Sequence, residues 1–141
     1  MRKSLAGLLL ILIMTPVFAA KLTVNNAWLR LLPGDLPLAG YAQLVNTSSH
    51  DVTLVSASSP EFDAVQFHRS MNHAGMEEMV HLAQIRIAAG KTLEFAPGGY
   101  HLMLMGRKHA LKPGQQVMLT LGFDDGTKQV IQFVVKGASG T

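Results

Sequence analysis

An all-β sandwich or barrel is the fold class this sequence predicts, and three observations carry it. Apolar and polar residues alternate with a period of two in many short runs, the spacing that sends one face of a strand into a core and the other into solvent. Turn-forming clusters such as Pro33-Gly34-Asp35, Pro97-Gly98-Gly99 and Lys112-Pro113-Gly114 separate those runs. No helical periodicity, internal repeat or linker interrupts the pattern.

The first segment stands apart from it. Arg2 and Lys3 precede an apolar run from Leu5 to Met14, then Pro16 and the small residues Ala19 and Ala20. This is the layout of a secretory signal peptide, because the apolar run is too short to cross a bilayer. Cleavage is expected after Ala19, with a retained N-terminal anchor as the runner-up, and no later run is long enough for stable membrane insertion. The division is then a signal peptide over 1–19, a single β-domain over 20–137 and a short frayed tail over 138–141. Cleavage leaves 122 of the 141 residues, enough to bury one core.

Strands are expected over 22–31, 40–47, 51–58, 62–69, 78–87, 91–96, 100–106, 115–124 and 128–136. The second is closed by the polar stretch Asn46 to Asp51, the third by Ser58-Ser59-Pro60 and the fifth by Ala89-Gly90-Lys91. The last two are joined at Asp125-Gly126, a pair suited to a tight hairpin. Residues 70–78 read as a loop between the fourth and fifth.

Charge excludes one class of function. Without Arg2 and Lys3, ten basic residues face nine acidic ones, and no basic tract with interleaved aromatics suggests nucleic acid. The chain has no cysteine, so an exported protein of this sequence has neither a disulfide framework nor a thiolate to offer a metal.

Soft donors are concentrated in one stretch instead. Between His68 and Met105 lie five of the eight methionines and four of the six histidines. Within it stands a spaced set, His68-x10-Met79-x21-His101-x-Met103. Thioether sulfur with imidazole nitrogen suits Cu(I), since soft ligands select the soft monovalent ion. Strand parity supports the set: His101, Met103 and Met105 share one face of their strand while Tyr100, Leu102 and Leu104 share the other. In the fourth strand, Val65 and Phe67 face the core, and His68 lies opposite with Gln66. A hairpin would fold Met79 back beside His68, with Met71, His73 and Met76 in the loop above. Those three are open between auxiliary copper contact and ordinary exposure, and His81 between a role beside the site and plain structure. Met105 reads as structure, Met118 as a core filler, and His50 and His109 as surface histidines.

The spaced set resembles the signature of the periplasmic PCu(A)C copper chaperones. So do Ala27-Trp28-Leu29-Arg30, Gly40-Tyr41 leading to Asn46, Ser59-Pro60, and the run Pro97 to Leu104, so that the resemblance covers essentially the whole mature chain. It implies a cupredoxin-like Greek-key β-barrel and a monomer. It implies one Cu(I) held by His68, Met79, His101 and Met103. It also implies delivery of copper to the cytochrome oxidase copper subunit, alongside a thioredoxin-like Sco-type partner. Some relatives carry a long His- and Met-rich C-terminal tail for Cu(II), which is not found before Thr141.

Three other readings compete. An electron-transfer cupredoxin needs a Cys thiolate, which the sequence lacks. A second is a zinc or copper enzyme, but catalytic zinc uses His, Cys or carboxylate ligands, whereas Glu77 and Glu78 stand beside methionines that would serve zinc poorly. A β-sandwich interaction module, or a copper-tolerance or storage protein, would leave the cluster without a delivery role.

Overall fold

The computed structural model describes residues 21–141, so the expected signal peptide and its cleavage site lie outside the described residues. Among the described residues ten strands occur in chain order. They are β1 (Leu22–Arg30), β2 (Leu38–Asn46), β3 (Val52–Ser58), β4 (Phe62–His73), β5 (Met76–Leu82), β6 (Ile85–Ile87), β7 (Thr92–Phe95), β8 (Tyr100–Arg107), β9 (Gln116–Phe123) and β10 (Lys128–Lys136). Among the described residues no helix is long and apolar enough to cross a membrane.

All ten strands form one sheet in the order β5-β4-β8-β7-β2-β1-β10-β9-β3-β6. A further pairing of β3 with β4, opposing Ala57 to Val65, closes it into a barrel. Closure removes the open edges that a flat sheet would expose, leaving β5 and β6 as short flaps outside the ring. β1 and β10 run parallel, and most other neighbours are antiparallel. The fold is the all-β, cupredoxin-like barrel that the alternation and the resemblance led us to expect.

The core is the inner face of the ring. Leu29, Leu38, Leu44, Leu54, Phe95, Leu102, Leu104, Val117, Leu119, Leu121, Phe133 and Val135 are fully buried, each stabilising the fold by roughly 1.5–3 kcal/mol relative to exposure. At Gly40, paired with Leu29 on one side and Leu102 on the other, a Cβ would come within 3.1 Å of both side chains, so glycine leaves room for these two core leucines. Met118, expected in the core, is 45% exposed between two buried neighbours, Val117 and Leu119. Their burial obliges it to point outwards.

Two expected boundaries change, each for a visible reason. The strand expected over 78–87 is two strands, β5 pairing with β4 and β6 with β3. Leu82 and Ile85 both pack inwards although three residues apart, which a strand with a two-residue period cannot do without a bend. The expected loop over 70–78 is instead regular hairpin: β4 and β5 pair through to His73 and Met76. Only Ala74 and Gly75 turn the chain, with φ of 51° and 82°, the left-handed pair of a two-residue hairpin turn. Asn72 Oδ1 accepts the Gly75 N–H at 3.1 Å and fixes that turn. At the C-terminus, the residues expected to fray close a turn in which Gly137 N–H donates to the Thr141 carbonyl at 2.9 Å.

A bulge in β1 determines which side chains reach the outer face. Asn25 pairs with Gln43 but Trp28 with Tyr41, so β1 carries one extra residue. Asn26 absorbs it at φ 51°, a conformation asparagine tolerates better than most residues. Because an extra residue inverts the facing of the rest of the strand, Leu29 packs inwards and Trp28 and Arg30 turn out.

Candidate metal centre

The four residues of the spaced set meet on the outer face of β5, β4 and β8. Across β4 and β8 the register opposes His68 to His101 and Gln66 to Met103, while across β4 and β5 it opposes His68 to His81 and Ser70 to Met79. Directly opposed and diagonal positions on one face of a sheet are within side-chain reach of each other. His68 is therefore central, with His101 beside it and Met103 and Met79 on its diagonals. The His68 and His101 ring centroids are 5.6 Å apart and those of His68 and His81 are 5.7 Å apart, both edge to face.

Met79, His101 and Met103 line a cavity of about 300 Å³ together with Arg30, Ala39, Tyr41, Ser70 and Glu77. Exposure is graded across it. His101 is only 4% exposed, although it points away from the core, whereas Met79 on the edge strand is 52% exposed. The outer face at this point is thus a recess with a deep imidazole and an accessible thioether.

Hydrogen bonds assign the free lone pair on each central histidine. His101 Nδ1 lies 3.2 Å from the Gly99 carbonyl. A carbonyl only accepts, so Nδ1 carries the proton and Nε2 keeps its lone pair. The same Gly99 oxygen accepts the Ser70 N–H at 3.0 Å, tying β4 to the turn before β8. His68 Nε2 donates to Gln66 Oε1 at 3.0 Å, which leaves Nδ1 as the acceptor nitrogen. That Nδ1 is buried without a hydrogen-bond partner. Burial holds the His68 pKa below its ordinary value, with further lowering from the neighbouring His101 and His81, so its neutral, coordinating form is favoured.

An aromatic and cationic cluster abuts the recess. Trp28 and Tyr41 have ring centroids 4.8 Å apart, and the Arg30 guanidinium lies 5.6 Å from the Trp28 ring and 5.2 Å from that of Tyr41. Arg30 Nε is buried without a partner. Burial raises the Tyr41 pKa, an effect partly offset by Arg30. Residue-by-residue reading of the sequence missed this cluster as part of the site. The parity inversion at Asn26 is the signal that would have found it.

The remaining sequence candidates separate. His81 joins the outer face and is exposed. Met71, His73 and Met76 do not lie over the site, because their register places them on the reverse face of the hairpin. Met105 is on the outer face opposite Ala64, and His50 and His109 are exposed. Among the described residues no three His, Asp or Glu side chains are grouped closely enough to hold a metal ion.

A family model described as LpqE-like matches residues 22–135, nearly the whole described chain. The chain belongs to this LpqE-like, PCuAC-type family. The LpqE-like chain is 37% identical over 118 residues to a protein of Leifsonia xyli named "Putative lipoprotein Lxx21020", covering 83% of this chain and 70% of that one. It is similar to the CuI form of DR1885 from Deinococcus radiodurans, at 32% identity and a TM-score of 0.68, covering 84% and 80% of the two chains. It is also similar to the copper-bound PCuAC domain from PmoF2, at 25% identity and a TM-score of 0.70, covering 88% and 99%.

Proposed function

We propose that this protein is a periplasmic copper chaperone that carries one Cu(I) on His68, Met79, His101 and Met103 and hands it on by ligand exchange. The buried, unpartnered Nδ1 of His68 carries the reading. A polar atom left unpaired in the interior costs stability, and here it belongs to the residue that stands opposite His101 and diagonal to Met79 and Met103 on one face of the sheet. Gln66 and Gly99 hold the opposite ring nitrogens, the kind of outer support that orients metal-binding histidines. A nitrogen and oxygen site would need a third hard donor, and among the described residues no such group forms. Sulfur completes the set, and sulfur favours Cu(I). The similar solved structure of the CuI form of DR1885 agrees with that preference, and the similar PmoF2 domain is copper-bound.

Release depends on the same donors. Two thioethers and two imidazoles are neutral, so a thiolate from an acceptor outcompetes them. Met79, at the exposed edge, is the donor an incoming cysteine displaces first, while buried His101 retains the ion until transfer is complete. Delivery requires no catalytic step. The acceptor is a cysteine-bearing copper protein of cytochrome oxidase assembly, the oxidase copper subunit or a Sco-type thioredoxin-like protein, reached in the periplasm after removal of residues 1–19.

X-ray absorption on the Cu(I)-loaded mature protein tests this directly. Mixed sulfur and nitrogen neighbours are expected at one ion per chain on this face, and neighbours of nitrogen and oxygen alone would remove Met79 and Met103 from the site.

A further inference from the structure

The β4–β5 hairpin runs beyond the barrel, and every residue from Met71 to Met79 is exposed. Its two faces carry different chemistry. The face shared with the recess ends in Ser70, Asn72, Glu77 and Met79. On the other, the register pairs His73 with Met76 as the last rung before the turn, and Met71 with Glu78 on the same side nearer the barrel. Successive rungs on one face of a hairpin are two residues apart on each strand, and opposed side chains start about 4.5–5.5 Å apart. Two long thioethers and an imidazole therefore project from adjoining positions on the same side.

Packing does not explain them. Met76 is 74% and Met71 39% exposed, and neither belongs to the core. The turn that brings them together is held by the Asn72 to Gly75 hydrogen bond. Arg69, on that face nearer the barrel, lies 5.0 Å from the Tyr100 ring, while the Glu78 carboxylate adds negative charge next to Met71.

We infer that the reverse face of the hairpin tip is a second Cu(I) site, formed by the sulfurs of Met71 and Met76 and the imidazole of His73. Two soft sulfurs and one nitrogen suit Cu(I) and serve zinc or calcium poorly. With three donors on flexible, exposed side chains, this site holds the ion more weakly than the recess and exchanges it faster. It shares no ligand with the recess and stands independently of it.

The test is an anaerobic titration of the mature protein with Cu(I) against a chromophoric Cu(I) chelator, monitored in parallel by the ¹³C-labelled methionine methyl resonances. Two equivalents are expected, the weaker withdrawn at a chelator concentration at least tenfold lower. The first equivalent should shift the Met79 and Met103 methyls and the second those of Met71 and Met76. The double variant Met71→Leu/Met76→Leu preserves volume at exposed positions, so it should fold normally, keep the tight equivalent and lose the weak one. Met103→Leu should do the reverse. A wild-type chain that takes up one equivalent only, or a double variant that retains two, overturns the second site. Retention of the tight equivalent unchanged in Met103→Leu would instead sink the recess reading and leave the tip site standing.

Discussion

Asn46 and His101 are the polar side chains buried most completely among the described residues, and the protein treats them in opposite ways. Asn46, at the end of β2, has its bonding capacity filled. Its Nδ2 donates to the His50 and Ile87 carbonyls at 2.8 and 3.0 Å, and its Oδ1 accepts the Ser48 N–H and hydroxyl at 3.0 and 2.7 Å. The His101 face is left incomplete: the His101 ring makes a hydrogen bond through Nδ1 alone, and His68 Nδ1 beside it has none. A polar group buried to specify structure is saturated by the chain itself, because any vacancy costs stability. On the face proposed to bind Cu(I), the lone pairs of His101 and His68 stay open instead.

The sharpest way to break the comparison is to exchange the roles. Asn46→Ala strands carbonyls and an N–H around a fully buried position, at about 1–3 kcal/mol for each unpaired group. We expect a loss of about 4 kcal/mol in urea denaturation, with Cu(I) affinity per folded molecule unchanged. His68→Leu is the counterpart. It deletes an unpaired nitrogen, so the metal-free protein should stay within about 1 kcal/mol of the wild type or gain stability, while Cu(I) affinity falls about a hundredfold, or about 2.7 kcal/mol. Marked destabilisation of the metal-free His68→Leu protein would mean that this face is structural after all.

A finer contrast concerns the supports. Gln66→Leu removes the acceptor that holds the His68 tautomer but leaves every proposed donor in place. Affinity should fall about tenfold, the lower end for loss of an outer partner of a metal-binding histidine, with the Cu(I) neighbours in X-ray absorption still sulfur and nitrogen. No change in affinity would show that His68 is oriented by packing alone.

The barrel, and the shared facing of the four residues proposed as ligands, were legible in the sequence because both rest on strand parity. Alternation put Leu102 and Leu104 inside and His101 and Met103 outside, and the structure has them so. What it hid were departures from the two-residue period. The bulge at Asn26 inverts the facing of Trp28 and Arg30, and the break between Leu82 and Ile85 divides one expected strand. The hairpin tip was misread for a different reason. Its mostly polar composition suggests a loop, but Ala74-Gly75 is enough to turn the chain, and cross-strand hydrogen bonding extends the ladder to the tip. Burial of His101 was not legible either, since a residue facing away from the core is covered here by neighbours that only the assembled face brings together.

The smallest expected effect is in protonation, and it tests the row of imidazoles across β5, β4 and β8. Burial is the main cause of the lowered His68 pKa, with repulsion from His101 and then His81 adding to it; Glu77 and Arg30 are the other charged groups at this face. In the unfolded chain a histidine titrates near about 6.5, so in the metal-free protein the unfolded state takes up the proton first as pH falls. The contribution of His68 to stability is therefore whole above about 6.5 and is lost as pH drops through its lowered folded value. Copper binding obeys the same order. Protons compete for Nδ1 only once the pH approaches that lowered value, so affinity should hold through mild acid and then fall about tenfold per pH unit as His68 protonates. His81→Gln removes one repelling imidazole without touching a proposed donor. The His68 midpoint, read from its ring resonances in the metal-free protein, should move up towards about 6.5 by a fraction of a unit, and the acid limit of copper binding should move with it. If the midpoint moves but the copper limit does not, protonation of His68 is not what limits binding, and His68 loses its place among the ligands.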